Sequence, residues 1–170
     1  MSKQHVLMRD IITQYHPDFK SRSVKRLALS RPELFNVEHL IEECMAEIGG
    51  YQHVGGEHQD FSDGSDSKTS SIRRNPNKGS QVCYSGQIKN VRTAGGNLKI
   101  GALRVVIYNP ILQNCGYYFL PRDFWTACVS NGYRGLGVIG YSYNYLSQHI
   151  PRFKDYQCES FEHLCRMENQ

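Results

Sequence analysis

Three aspartates and a lysine fall within nine positions, at Asp60, Asp63, Asp66 and Lys68, around an Asp63-Gly64 turn. Carboxylates at this density can hold a divalent cation, and a cation beside them can orient water or balance the charge of a phosphate. Asp66-Ser67-Lys68 separates a carboxylate from an ammonium by two residues, which on a strand is the same face. A hairpin with a three-residue loop brings Asp60 to that face, because position 62 then opposes 66 and position 60 opposes 68. A two-residue Asp-Gly loop turns Asp60 to the other face. Both registers are open to the sequence. So is a solvated turn, since Asp, Ser and Gly favour turns on their own account.

The charge changes sign across this stretch. Between Arg31 and Lys68 there are nine acids and no Lys or Arg; between Asp66 and Asp123 there are nine bases and no acid. A surface that meets a polyanion excludes acids, because each would offset a phosphate contact. The candidate nucleic-acid contacts are Arg73, Arg74 and Lys78 just after the acidic cluster, then Lys89, Arg92 and Lys99. The net charge of +4 is modest, so the reading rests on where the charges lie rather than on their sum. The plainer alternative is a strand-rich region with Lys and Arg on its wet face. Tyr51, Tyr84, Tyr108, Tyr117 and Tyr118 are more often packing residues than base-stacking ones.

An acidic residue, a short gap and then (D/E)-x-K resembles the core of the PD-(D/E)xK nucleases. The nearest pattern is that of MutH and its GATC-cleaving restriction relatives, an Asp, six residues, then E-x-K-T. Here Asp60 is followed by five residues and then Asp66-Ser67-Lys68-Thr69, one residue shorter in the gap and with Asp for Glu. The resemblance covers about ten residues. It implies a restriction-endonuclease-like core that hydrolyses DNA phosphodiester bonds with Mg²⁺ or Mn²⁺. Asp60 or Asp63, with Asp66, would be metal ligands, and Lys68 would orient or activate water. Glu47 from the preceding helix, or else Glu57, would complete the cluster. A homodimer is implied where both strands are cut. A second register uses Gln87-Ile88-Lys89, since some restriction enzymes replace the acid with Gln. Lys89 is then the catalytic lysine.

Other constellations carry other chemistry. His53 and His58 flank Gly55-Gly56 and suggest a histidine-metal nuclease of the HNH kind. Cys158, His163 and Cys165 are candidate zinc ligands that need a fourth partner. A calcium loop fits less well, because Asp60, Ser62 and Gly64 lack the later bidentate Glu of an EF-hand. A non-catalytic nucleic-acid-binding protein that uses residues 68–122 remains the alternative from another class.

These residues need a frame. Helical apolar stripes run over 3–15, about 22–29 and 37–48, the last with Val37, Leu40, Ile41, Cys44, Met45 and Ile48 on one face, Asn36 as N-cap and Gly49-Gly50 as stop. From Tyr51 onward strand-like runs alternate with turn residues, near 51–61, 66–73, 81–90, 101–108 and 116–121. A helix is expected over Asp123–Ser130, a strand over 138–143 and a final helix over 160–167. The fold class is α/β: a helical N-terminal part (1–49) and a mixed, mainly antiparallel sheet flanked by helices (50–170), in one domain. No apolar run approaches membrane-spanning length, and the polar N-terminus resembles no secretory signal. Six scattered cysteines fit reduced thiols in a cytoplasmic setting.

Overall fold

The computed structural model describes all residues except 57, 77–81, 133, 134 and 170, and omits the side chains of 76 and 82. Helices come first. One continuous rod begins as α1 (Lys3–Leu7), widens to a π segment at Met8–Ile12 and closes as α2 (Thr13–Tyr15). His16 then ends it before Pro17, in extended backbone with ψ 129°, as a residue preceding proline should. α3 (Arg22–Ser30) is capped by the Ser21 hydroxyl. α4 (Val37–Gly49) is capped by Asn36, and Gly50 ends it in the left-handed conformation with φ 74°, which costs glycine no Cβ clash.

The strands form two sheets. β1 (Asp66–Ser71), β4 (Leu103–Asn109), β5 (Asn114–Leu120) and β7 (Gln157–Cys158) lie in the order β1-β4-β5-β7, and β1 runs parallel to β4 while the other pairs are antiparallel. β2 (Arg73–Pro76), β3 (Val82–Lys89) and β6 (Val138–Tyr143) form an antiparallel sheet in the order β2-β3-β6. The result is α/β, a mixed and mostly antiparallel sheet with a second sheet and flanking helices.

β4 is the spine. It is buried along its whole length, and its period of two divides the core. Leu103, Val105 and Ile107 join the cluster with Ile88, Ile139 and Trp125 of the second-sheet side, whereas Val106 joins Met8, Ile11, Ile41, Met45 and Leu164 on the helical side. α5 (Arg122–Thr126) seats Trp125, whose indole N–H donates to the Gly101 carbonyl at 3.0 Å. α6 (Phe161–Arg166) packs against α4 and β5.

Three expected elements differ. The strand expected over 51–61 is a loop joined to itself by a single bridge, His53 to Phe61, because Gly55 and Gly56 break it. The hairpin expected across Asp63-Gly64 does not form. Residues 61–64 make a tight turn closed by the Gly64 amide on the Phe61 carbonyl at 3.0 Å, and β1 finds its partner in β4 instead. The helix expected over Asp123–Ser130 is shorter, with Pro121 at its N-cap and Ala127 at its C-cap. No helix among the described residues is long and apolar enough to cross a membrane.

Candidate active site

The turn over 61–64 is pinned from three sides. Gly64 has φ 92°, and a Cβ on the facing Gly101 would lie 2.1 Å from the Gly64 carbonyl oxygen, so both positions require glycine. Asn169 bridges the two segments, donating to the Asp63 carbonyl at 2.6 Å and accepting from the Ala102 amide at 2.9 Å. The Asp63 side chain is fully engaged. One oxygen accepts from the Ser65 amide and hydroxyl at 2.9 and 2.6 Å, and the other accepts from Arg104 at 2.7 Å. Burial alone would raise the Asp63 carboxyl, but Ser65 and the Arg104 guanidinium together hold it below the usual carboxylate range.

Arg104 is fully buried in β4. It donates to the Ser65 hydroxyl at 3.0 Å and to the carbonyls of Leu164, Cys165 and Met167 at 2.7, 3.3 and 2.7 Å. Those carbonyls close α6, where the helix dipole favours a cation. The rings of Tyr51 and Phe119 flank the guanidinium at 4.7 and 5.1 Å. Asp63 is thus the ion-pair partner of the buried Arg104, and both of its carboxylate oxygens are engaged there.

Asp66 is different. It is buried, yet neither of its oxygens receives a hydrogen bond from any backbone, hydroxyl or amide group among the described residues. Charge surrounds it instead. Lys68 Nζ lies 3.1 Å from Oδ2, Lys99 Nζ lies 3.7 Å from Oδ1, and the carboxyl of Asp60 stands alongside. Asp60 arrives there by the loop folding over the start of β1. Its Oδ2 accepts the Ser67 amide at 2.8 Å, on the side of β1 away from β4. Neither hairpin register applies, and the carboxyl that the fold brings beside Asp66 is that of Asp60. Burial first, and then the negative charge of Asp66, push the Asp60 carboxyl up to about 7.

Next to this corner opens a cleft of about 640 Å³. Its charged lining is Lys3, Glu38, Glu42, Lys68, Arg73 and Lys89, and the rest is mostly Ser, Thr, Asn and Gln. β1 forms one wall and β3 the other, tied by the Ser70 hydroxyl donating to the Gln87 carbonyl at 2.7 Å. Gly86 permits this approach, because a Cβ there would meet the Ser71 carbonyl at 2.7 Å. Lys68 reaches across to donate to the Asn90 carbonyl at 2.9 Å. The two candidate lysines, Lys68 and Lys89, therefore line one cleft, and Gln87 faces it as well.

The remaining candidates divide. Arg73 lines the cleft, while Arg74, its neighbour on the strand, is exposed beyond it. Arg92 folds back on the Gly96 carbonyl at 3.0 Å. Lys99 is turned inward to Asp66. Lys78 and Glu57 lie outside the described residues. Glu47 does not complete the cluster: it is exposed beside His16, Pro17 and His53 in another depression. The acids that α4 brings to the cleft are Glu38 and Glu42. The sequence signal for them was their spacing of four on the polar face of α4. Lys3 carried no such signal, and burial pulls it below the ordinary lysine range, with Glu38 opposing.

Cys158, His163 and Cys165 do not converge as metal ligands; among the described residues only His39, Glu42 and His53 bring three such groups together. Cys165 is a buried thiol, pushed up to about 12 by burial. The chain matches no family model, no curated protein and no solved structure.

Proposed function

We propose that the chain is a metal-dependent endonuclease that hydrolyses DNA phosphodiester bonds, with its chemistry at Asp60, Asp66 and Lys68. One observation supports this reading: the two buried Asp66 oxygens, which meet no backbone, hydroxyl or amide donor among the described residues, beside a second carboxyl and two ammonium groups. Buried carboxylates in a purely structural role are normally hydrogen-bonded, as Asp63 is. Oxygen donors paired in this way fit a hard cation. Mg²⁺ or Mn²⁺ held by Asp60 and Asp66 would supply Lewis-acid stabilisation of the phosphate.

The protein's own groups do the rest. Lys68 holds an ammonium at the cleft wall, where it can orient water or balance charge on the phosphate. Lys3, Arg73 and Lys89 are placed to hold backbone phosphates, and the Ser and Asn lining can donate to phosphate oxygens. Glu38 and Glu42 keep the cleft from being uniformly positive, so the negative backbone is drawn toward the Lys68 side. Cutting both strands would take a second copy of the chain.

The test is incubation of plasmid DNA with the protein and Mg²⁺ or Mn²⁺, next to Asp66→Asn and Lys68→Ala. Both variants are expected to bind DNA and to leave it uncut. A wild-type protein that cuts neither plasmid, single-stranded nor base-modified DNA sinks the reading. Binding without cleavage, equal in all three proteins, supports a nucleic-acid-binding module instead.

A further inference from the structure

We propose a second, histidine-based metal site, formed by His39, Glu42 and His53, that takes a borderline transition-metal ion such as Zn²⁺. It does not depend on the nuclease reading. One ligand atom from each of the three residues lies within 4.8 Å of the other two. His39 and Glu42 stand three residues apart on α4 and so share a helix face. The first turn of that helix is held by the Asn36 side chain, which accepts the His39 amide at 3.1 Å.

His53 approaches from the loop. That loop is anchored on both sides of the histidine: the Val54 amide donates to the Asp60 carbonyl at 2.7 Å, and the Ser62 amide donates to the Gln52 carbonyl at 2.8 Å. Its ring then meets Glu42 at 2.6 Å through Nε2 and the His39 ring edge-on at 5.1 Å. The three ligands are thus delivered by one helical turn and one pinned loop.

The surroundings also suit a metal. Glu43 sits behind the cluster, 3.0 Å from His39 Nε2 and 2.5 Å from His16 Nε2. A carboxylate that orients a ligating imidazole in this way is the usual outer support of histidine metal sites. His39 and His53 each commit only Nε2 to these contacts, and Nδ1 of each ring has no partner among the described residues. Two imidazoles and one carboxylate suit zinc-class ions rather than magnesium. Three ligands also leave a coordination position for water or a phosphate oxygen. Glu42 also lines the large cleft, whereas His53 lines the neighbouring depression with His16 and Glu47.

Metal-stripped full-length protein titrated with Zn²⁺ by calorimetry, and with Co²⁺ by visible absorption, provides the test, with no DNA present. We expect one saturable ion per chain, undisturbed by excess Mg²⁺. His39→Ala is expected to weaken binding at least tenfold, as is His53→Ala. Glu43→Gln should weaken it by about tenfold through loss of ring orientation. His149→Ala is the control for surface histidines and should change nothing. His39 is exposed, so its variant should keep the wild-type circular dichroism, and its binding result then reads the site itself. Absence of one-to-one binding in the wild type overturns the proposal. Binding that survives both His39→Ala and His53→Ala does the same. Zinc binding in a protein that never cuts DNA would leave this site standing and remove only the nuclease reading.

Discussion

Asp63 and Asp66 lie three residues apart in one stretch of sequence, and the fold treats them in opposite ways. Asp63 has both carboxylate oxygens hydrogen-bonded, one to Ser65 twice and the other to Arg104. Asp66 is more deeply buried and meets no backbone, hydroxyl or amide donor among the described residues. The first arrangement stabilises: a buried cation is neutralised, its remaining donors close the carbonyl end of α6, and two rings cover it. The second leaves a buried carboxyl facing ammonium groups at 3.1 and 3.7 Å, with another acid beside it. Groups held in this way tend to mark sites of function rather than of stability.

The contrast breaks or sharpens under substitution. Arg104→Met should have the largest effect. It removes one partner of a buried pair, strands Asp63 and leaves the carbonyls of Leu164 and Met167 without donors, at a cost of about 3–5 kcal/mol. Urea unfolding measures this, and a loss below about 1 kcal/mol would mean that Asp63 and Arg104 are not a structural pair. Asp63→Asn keeps an acceptor but loses the charge, and should cost about 1–3 kcal/mol in the same experiment.

Asp60→Asn should act with the opposite sign. The folded protein holds a proton on Asp60 up to about pH 7, whereas the unfolded chain releases it near the ordinary value of about 4. The folded state therefore binds more protons between these limits, and stability falls as pH rises through that window. Asparagine removes the penalty and still accepts from the Ser67 amide. The variant should match wild type near pH 4 and exceed it at pH 8 by about 1 kcal/mol after allowance for solvent screening, or roughly 2–4 °C in Tm for a chain of this size. Equal pH profiles for the two proteins would show that Asp60 is not held protonated. The smallest expected effect belongs to Lys89→Ala. It should leave stability within about 0.5 kcal/mol and lower the salt dependence of DNA binding by about one phosphate contact. An unchanged salt slope would place Lys89 off the DNA path.

Much of the frame was legible because it follows from local chemistry. The stripe from Val37 to Ile48, the Asn36 cap and the glycine stop describe α4 almost residue for residue. The apolar run of β4 announced a buried strand. Its one arginine was the signal for the core pair, since a charge inside such a run must find partners, yet in sequence Arg104 counts as one more base in an acid-free stretch. The approach of Asp60 to Asp66 was readable only as one of two registers. The true route depends on β1 choosing β4 over a hairpin partner, some forty residues downstream, and no local pattern encodes that choice. The same holds for the acids of the cleft. A spacing of four puts Glu38 and Glu42 on one face of α4, but which acidic residue of that helix meets β1 is set by how it packs on the first helix and α6.

The two aspartates also provide the most direct measurement. Asp63→Asn and Asp66→Asn, prepared together, should be compared for unfolding free energy and for cleavage of plasmid DNA with Mg²⁺ or Mn²⁺. The account predicts a split. Asp66→Asn loses two ammonium partners but relieves the repulsion on Asp60, so it should cost less stability than Asp63→Asn and lose cleavage, whereas Asp63→Asn should lose stability and still cut wherever it remains folded. Wild-type cleavage by Asp66→Asn, at a stability no better than that of Asp63→Asn, would contradict it.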